Sequence, residues 1–229
     1  HSLLKNPRRT LDVGTGAGTW LLEMASEFPE CEFTGISVAP LQSTAVFPPN
    51  CRLQSANILE GIPHPNGHFD YVHHRFLVLA MPSTYWESYV NECARVCASG
   101  GWIEMFESDF ALYEAGPASK KMNIAFAQAF AAQGVITDVP NYISPFMRDA
   151  GLVDFSLKEY QIPVGAWGGM IGELFWNNFV AIFNTLRPLL VARLRMTNEE
   201  IDQMLVNTHR EIQQCRAYLR GLAYTARKR

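Results

Sequence analysis

The chain has 229 residues, and its 19 lysines and arginines stand against 22 aspartates and glutamates, which gives a net charge of −3. A chain of this length buries about 70% of its unfolded surface on folding, so a core forms without disulfides or a structural metal. The lack of a basic excess argues against nucleic acid as a partner. With 48% hydrophobic and 12% aromatic residues, the composition excludes a disordered chain and a collagen-like one.

The cysteines are odd in number and widely spread, at Cys31, Cys51, Cys93, Cys97 and Cys215, with only Cys93 and Cys97 close together, four residues apart. Their spacing matches no zinc site, so we predict free thiols and a cytoplasmic protein. The sequence contains no run of about 20 apolar residues, so we predict no membrane span. The sequence does not begin with Met and starts ten residues before a motif that should end the first core strand, so we expect upstream sequence to be missing.

The first half of the sequence alternates between strand and helix signals. The predicted elements are strands at 10–13, 32–38, 51–54, 69–74 and 102–106 and helices at 19–28 and 85–97. The second of these helices is expected to end at Gly100-Gly101, and prolines at 40, 48 and 49 interrupt the chain between the second and third strands. This succession of βαβ units predicts an α/β fold with an open, doubly wound, Rossmann-like sheet.

The second half is richer in helix signals. Helices are predicted at 120–133, 144–150 and 167–195, and strands at 153–162 and 222–226. A capping box from Thr197 to Glu200 opens the last helix, whose apolar stripe is expected to reach Leu219. We predict a single domain, with its core in residues 8–110, 141–165 and 197–229. Helical insertions at 111–140 and 166–196 then form a cap.

A glycine-rich turn follows the first strand, with Gly14, Gly16 and Gly18 at alternate positions. Such a turn lets backbone N–H groups and a helix N-terminus approach a ligand closely. The spacing differs from the G-x-G-x-x-G of dinucleotide sites, and no Asp or Glu occurs from 33 through 59 to hold a nicotinamide ribose. No G-K-[ST] follows, which excludes a P-loop.

Five motifs occur in order between residues 10 and 108. They read LDVGTGAGTW at 11–20, FTGISVAP at 33–40, SAN at 55–57, FDYVHHR at 69–75 and RVCASGGWIE at 95–104. Together they resemble the class I S-adenosylmethionine-dependent methyltransferases, which implies the seven-stranded sheet of that family. The helical second half is similar to a branch of fungal secondary metabolism in which inserted helices roof the substrate.

The resemblance implies S-adenosylmethionine as the cofactor and assigns residues to it. In that family the positions of Asp12 and of the turn residues hold the amino-acid end of the cofactor, and those of Asn57 and Ile58 border the adenine. The turn residues are Gly14, Thr15, Gly16 and Gly18. The family's ribose-binding acid should stand where Ser37 is, beside Val38. A serine hydroxyl makes one weaker hydrogen bond where a carboxylate makes two charge-assisted ones.

His73, His74 and Arg75 fall at the carboxyl end of the fourth strand, where open α/β sheets bind ligands. Because adjacent strand residues point to opposite faces, we expect one histidine to face the cleft. That histidine would act as a general base, contact the substrate or the cofactor, or serve a structural role. We also assign His73 to the cofactor site. Arg75 would pair with an acidic substrate or with Glu107 or Asp109, and those two carboxylates are otherwise expected to be solvated.

The segment 161–186 carries one charge and several aromatic side chains. We predict that these form a roof over an apolar substrate, as in pockets lined by aromatic residues. The predicted substrate contacts are Trp20, Trp167, Phe175, Trp176 and Phe179. Ordinary core packing and a homodimer interface are the alternatives for the same surface.

These observations predict an enzyme that transfers a methyl group from S-adenosylmethionine to a hydroxyl or carboxylate oxygen of an apolar small molecule in secondary metabolism. Such a transfer needs alignment and exclusion of water more than acid–base groups. One alternative is a cyclase or pericyclase of the same fold that binds the cofactor without methyl transfer. Another is a non-enzymatic regulator that uses the aromatic segment to bind a protein.

Overall fold

The computed structural model describes residues 7–38 and 47–229, and within them seven strands form one sheet in the order β3-β2-β1-β4-β5-β7-β6. The strands are β1 (Arg9–Val13), β2 (Glu32–Ser37), β3 (Cys51–Ser55), β4 (Phe69–Arg75), β5 (Cys97–Tyr113), β6 (Val153–Pro163) and β7 (Tyr218–Arg227). β1 to β5 pair in parallel, whereas β7 runs antiparallel between β5 and β6. The predicted α/β, Rossmann-like class is confirmed.

Seven helices accompany the strands in the described residues. They are α1 (Thr19–Glu27), α2 (Trp86–Val96), α3 (Pro117–Ala131), α4 (Ile143–Asp149), α5 (Gly169–Thr185), α6 (Arg187–Leu194) and α7 (Asn198–Ile212). The described helices include none that is both long and apolar enough to cross a membrane.

The two faces of the sheet carry separate apolar clusters. Tyr71 packs with Trp20 of α1, whereas its neighbour Val72 belongs to the cluster that contains Trp86 and Tyr89 of α2. Successive strand residues point to opposite faces, so α1 covers one face and α2 the other. α4 packs beside α2 and against β7.

The order of the strands reverses between β1 and β4, which lie side by side although β2 and β3 separate them in the sequence. Asp12 is directly paired with His73 across this junction. Open α/β sheets bind ligands at such a switch point, outside the carboxyl ends of the strands. The glycine turn leaves β1 at that edge.

A second layer of helices, α3, α5, α6 and α7, packs together beyond the sheet. Its interior is aromatic: Phe126 stacks on Phe110 of β5 at 6.3 Å and on Phe179 of α5 at 5.1 Å between ring centroids. α7 begins at the predicted capping box, in which the Thr197 hydroxyl accepts the Glu200 N–H and the Glu200 carboxylate accepts the Thr197 N–H. These helices lie within and directly after the predicted cap insertions.

Several predicted boundaries are wrong. The helix predicted at 167–195 is two helices, α5 and α6, and β5 extends well beyond the strand predicted at 102–106. The last helix ends at Ile212, and Leu219 belongs to β7, whose apolar residues continue the helical spacing by coincidence. α2 ends at Val96, before the two glycines, because β5 begins at once. Gly101 serves packing, since a Cβ there would lie 2.8 Å from the Asp70 carbonyl oxygen.

Candidate functional site

The glycine turn between β1 and α1 has a backbone that other residues rarely adopt. Gly14, Gly16 and Gly18 have φ of 69°, 55° and 76°. The Gly14 and Thr15 N–H groups donate to the Ile36 carbonyl at 2.8 and 3.0 Å, which fixes the turn to β2. A Cβ on Gly16 would point into open space, with the Gly14 carbonyl oxygen nearest at 3.9 Å. The turn is therefore open at Gly16, where a side chain would fill the space, whereas a Cβ on Gly14 or Gly18 would collide with Leu77 or Phe47.

A cavity of about 360 Å³ lies beside this turn. It is lined by Gly14, Gly16, Ile36, Ser37, Val38, Ala56, Asn57, Ile58, Leu59, Phe76, Leu77, Ala80 and Met81. The carboxyl ends of β1, β2, β3 and β4 thus contribute to one site. Six of the residues that the sequence assigned to the cofactor line the cavity, namely Gly14, Gly16, Ser37, Val38, Asn57 and Ile58.

The residues present fit the nucleoside part of S-adenosylmethionine. Apolar side chains such as Ile58 and Met81 provide faces for a base, and the Ser37 hydroxyl and the Asn57 amide provide polar groups. The Asn57 side chain is held in place, because its oxygen accepts the Leu59 N–H at 3.1 Å and its nitrogen donates to Glu60 at 2.9 Å. The end of the second motif, at positions 39 and 40, lies outside the described residues.

The segment after β4 is the part of the cavity wall that sequence reasoning missed. Phe76, Leu77, Ala80 and Met81 line the cavity opposite the glycine turn. Leu77 touches the turn so closely that a Cβ on Gly14 would lie 2.4 Å from its Cδ2 atom. Their position in the sequence could have identified these residues, because a loop that leaves a strand next to β1 passes this edge of the sheet.

Asp12, His73 and Trp20 form a buried group beneath the turn. The His73 Nδ1 lies 2.8 Å from the Asp12 Oδ1, and because a carboxylate only accepts, the imidazole donates. The Trp20 ring stacks on the His73 ring at 3.8 Å with an interplanar angle of 6°. All three are at most 4% exposed, so Trp20 packs on His73 and does not line this cavity, and its predicted contact with substrate stays a prediction. Thr15 and Gly18 are also buried and lie outside the cavity lining.

His74 belongs to a second buried group on the other face of the sheet. Its Nδ1 lies 2.7 Å from the Tyr89 hydroxyl, and its Nε2 lies 3.2 Å from the Glu107 Oε1. Burial raises the pKa of Tyr89 well above its usual value, so the hydroxyl stays protonated. We expected one of the two histidines to face the cleft. Both are buried, so this expectation is wrong. Glu107 is fully buried, so the prediction of a solvated carboxylate is wrong.

Arg75 is exposed at the end of β4 and pairs with neither predicted carboxylate in the described structure. Asp109 instead accepts hydrogen bonds from the Arg220 guanidinium at 2.8 Å and from the Tyr113 hydroxyl at 2.6 Å. Burial, followed by the hydrogen bond to Asp109, raises the pKa of Tyr113 to about 12. The prediction of a solvated Asp109 is wrong as well, because β7 brings Arg220 to it from a distant part of the sequence.

The aromatic residues of the predicted roof occupy the helical layer. Phe179 is 1% exposed and stacks on Phe126, and Trp176 is buried and stacks on His209 at 5.2 Å. Phe175 is partly buried against the same core. Trp167 donates its indole N–H to the Ala217 carbonyl at 2.8 Å. None of the four lines the described cavity: Phe179 and Trp176 pack in the helical layer, whereas Trp167 is 41% exposed. Their contact with substrate stays a prediction.

Sequence comparisons agree with this geometry. A family model described as a methyltransferase domain matches residues 10–101. The N-methyltransferase tcpN of Claviceps purpurea is 31% identical, over 90% of this chain and 78% of its own length. The methyltransferase str3 of Strobilurus tenacellus is 34% identical over 47% of this chain, and the match covers 38% of str3.

The fold has counterparts among solved structures. Phosphoethanolamine N-methyltransferase 2 of Haemonchus contortus, solved in complex with S-adenosyl-L-methionine, is similar over 98% of this chain with a TM-score of 0.58. The two are 15% identical, and the match covers 49% of the Haemonchus chain. This likeness establishes the fold, and the match to most of tcpN establishes the family. The chain belongs to the class I S-adenosylmethionine-dependent methyltransferases.

Proposed function

We propose that this chain binds S-adenosylmethionine in the cavity beside the glycine turn and transfers its methyl group to a small molecule. The observation that carries this proposal is the convergence of Gly14, Gly16, Ser37 and Asn57 on one cavity at the switch point of the sheet. S-adenosylmethionine supplies a methyl group on a positively charged sulfur, which makes the group ready for in-line displacement. The protein's task is then to hold and align the two reactants and to exclude water.

The cavity residues divide this task among themselves. Ile58 and Met81 border the adenine, and the Ser37 hydroxyl hydrogen-bonds the ribose. The open backbone at Gly16 receives the amino-acid end, near the start of α1. Asp12, held by His73, fixes the position of β1 under the turn. Thr15 and Gly18 shape the turn, since the Gly18 N–H donates to the Thr15 carbonyl at 2.8 Å.

The lining of the cavity supports a choice of acceptor atom. Among its described lining residues none is titratable, and His73 and His74 are enclosed by their partners. The described residues around the cofactor cavity offer no accessible base, which suits an acceptor that needs no deprotonation by the protein. We therefore propose a carboxylate oxygen of an apolar small molecule as the acceptor. A nitrogen acceptor is the second candidate, because tcpN is named an N-methyltransferase.

The setting of the reaction is also proposed. The resemblance of the helical half to a fungal branch supports a substrate of secondary metabolism. The five cysteines are free, which supports a reducing compartment such as the cytoplasm. Burial raises the pKa of Cys93 and of Cys97 to about 12, which keeps both thiols protonated and unreactive.

Two measurements test the proposal in sequence. Calorimetric titration of the folded protein with S-adenosylmethionine and S-adenosylhomocysteine should show one site for each, and no heat with either would contradict cofactor binding. The protein is then incubated with methyl-labelled cofactor and separate sets of apolar acids, phenols and amines. A base-labile labelled product indicates a methyl ester, whereas a stable label on an amine supports the second candidate.

The same incubation separates methyl transfer from rearrangement. Ser37 in place of the family's acid is the feature that favours a cyclase of this fold, because a weaker hold on the cofactor suits a structural use of it. A cyclase product keeps the mass of its substrate and carries no label. That result, together with cofactor binding, would replace our proposal by the cyclase alternative.

A further inference from the structure

We propose that Glu107 is a positioning residue that fixes the wall of the cofactor cavity from outside the cavity. The wall in question is residues 76–81, the segment that follows β4. This inference rests on the proposed function, because it concerns how the same cavity keeps its shape. Glu107 lies in β5, the strand next to β4, and does not line the cavity.

The carboxylate of Glu107 binds the backbone of this segment directly. Its Oε1 accepts the Leu77 N–H at 2.6 Å, and its Oε2 accepts the Val78 N–H at 3.2 Å. Glu107 is 0% exposed, so water does not compete for these hydrogen bonds. Hydrogen bonds to a buried carboxylate are stronger than neutral ones, and an unpaired buried carboxylate is costly. The charge and the segment therefore hold each other in place.

The backbone at the end of β4 is shaped to present these two N–H groups. Phe76 has a φ of 56°, which is unusual for a residue with a Cβ, and its own N–H donates to the Phe106 carbonyl at 2.9 Å. This left-handed residue turns the chain out of the strand, and the next two amides point to the same side. Successive amides arranged in this way form an anion-binding concavity, which the Glu107 carboxylate occupies.

The His74 imidazole lies beside the carboxylate at ion-pair distance, although its Nε2 makes no hydrogen bond in the described structure. The His74 Nε2 lies 3.2 Å from the Oε1 of Glu107, and the other ring nitrogen of His74 lies 2.7 Å from the Tyr89 hydroxyl of α2. Burial keeps this hydroxyl protonated by raising its pKa, and it donates to the His74 Nδ1 in the tautomer that carries the imidazole proton on Nε2, facing Glu107. α2 thereby fixes the imidazole beside the carboxylate.

The consequence for the cavity lies in Leu77. The Leu77 N–H donates the shorter of the two hydrogen bonds, and the Leu77 side chain lies against Gly14. Ala80, whose N–H donates to the Leu77 carbonyl at 2.9 Å, and Met81 continue the same wall. A shift of Leu77 would change the distance between this wall and the glycine turn, and with it the fit of a ligand between them.

The test combines hydrogen exchange and ligand titration on Glu107→Gln, with Asp109→Asn as the matched control. Asp109 is a buried, hydrogen-bonded carboxylate two residues further along, but it contacts Tyr113 and Arg220, away from the cavity. We expect E107Q to speed amide exchange at Leu77 and Val78 at least tenfold in the unliganded protein. We also expect it to weaken the binding of S-adenosylhomocysteine at least tenfold, while D109N changes neither quantity.

The outcomes separate a positioning role from a general structural one. A general structural role would lower the melting temperature of both variants and leave the affinity unchanged, which would overturn the proposal. Unchanged exchange at Leu77 and Val78 in E107Q would overturn it as well. If the wild-type chain binds no S-adenosylhomocysteine, the proposed function fails, whereas the exchange measurement still decides whether Glu107 holds the segment.

A milder variant covers the case in which E107Q does not fold. Tyr89→Phe removes only the hydroxyl that holds His74 and keeps the ring in the core. We expect Y89F to speed exchange at Leu77 and Val78 by a factor of three or more, with exchange in β1 and β2 unchanged. Equal exchange in Y89F and wild type would contradict the support that His74 gives to Glu107.

Discussion

The cavity wall and the helical layer of this protein are built in different ways. The cavity is formed by backbone turns, by glycines with positive φ and by side chains that leave space, as at Gly16. The helical layer is formed by large aromatic side chains that fill each other's space, as Phe126 and Phe179 do. In the cavity wall the backbone leaves room for a ligand, whereas in the helical layer the side chains fill the available volume.

This difference explains why one region could be assigned from the sequence and the other could not. Glycines at alternate positions after a strand indicate a tight turn and a backbone that a ligand can approach closely. A run of aromatic residues on a helix suits a core, a substrate pocket or an interface equally well. The two regions should therefore respond differently to substitution, the layer in stability and the cavity in affinity.

The largest effect is expected for Phe179→Ala in the helical layer. Phe179 is 1% exposed and stacked on Phe126, so its truncation leaves a cavity that the neighbouring rings cannot fill. We expect a loss of about 3–5 kcal/mol in the free energy of unfolding, measured by urea denaturation. The affinity for S-adenosylhomocysteine should be unchanged at temperatures at which the variant is folded.

Leu174→Ala is the control for this substitution, because Leu174 lies on the same helix but is 60% exposed. Its loss of stability should be below about 0.5 kcal/mol. A small loss in F179A, combined with weaker binding of the acceptor, would contradict the packing role and restore the predicted substrate roof.

A smaller effect, on ligand affinity and not on stability, is expected for Gly16→Ala in the cavity. The added methyl group would enter the open space at the turn, on a residue whose φ is 55°. We expect the affinity for S-adenosylhomocysteine to fall at least tenfold, or by about 1.4 kcal/mol, in a calorimetric titration.

Gly134→Ala separates the effect on the ligand from backbone strain. Gly134 has a φ of 77° and nothing within 4 Å of an added Cβ, so its substitution introduces a similar strain of about 1 kcal/mol away from the cavity. G134A should bind S-adenosylhomocysteine as the wild type does. Equal loss of affinity in both variants would show that strain, and not the filled space at Gly16, is responsible.

The smallest effect concerns the pH dependence of the helical layer. Burial tends to raise the pKa of Glu211, but hydrogen bonds from the Ala118 and Ser119 N–H groups at the start of α3 outweigh it, and the pKa lies below its ordinary value of 4.5. A carboxylate with a lowered pKa stabilises the fold above its unfolded pKa, and this stabilisation is lost as the pH falls through the folded pKa.

Glu211→Gln should therefore cost about 1 kcal/mol at pH 7, and the difference from wild type should shrink as the pH is lowered below 4.5. Urea denaturation at several pH values measures this, with the exposed Glu23→Gln as the control. A difference that stays constant with pH would show that the Glu211 carboxylate does not stabilise α3 through its charge.

Much of the fold follows from local patterns in the sequence. The βαβ units, the glycine turn and the capping box at Thr197 are local, and each lies where we predicted it. The antiparallel insertion of β7 between β5 and β6 has no local signature, because it depends on contacts between strands that are distant in the sequence. For the same reason the length of β5 was underestimated.

The site was predictable in part for similar reasons. Ser37 and Asn57 could be placed because strand ends and motif spacing identify them. Leu77 and Met81 were missed because an apolar segment after a strand resembles any part of the core. Glu107 was misjudged because its partners are backbone N–H groups of another loop, and backbone groups carry no sequence signal.

The most direct test of the central claim is a crystal structure of this protein with S-adenosylhomocysteine. We predict the ligand in the cavity that Gly14, Gly16 and Leu77 line, with a ribose hydroxyl within hydrogen-bond distance of the Ser37 hydroxyl. The adenine should lie against Ile58. Density for the ligand at another place, with the cavity beside Gly16 unchanged, would contradict the account.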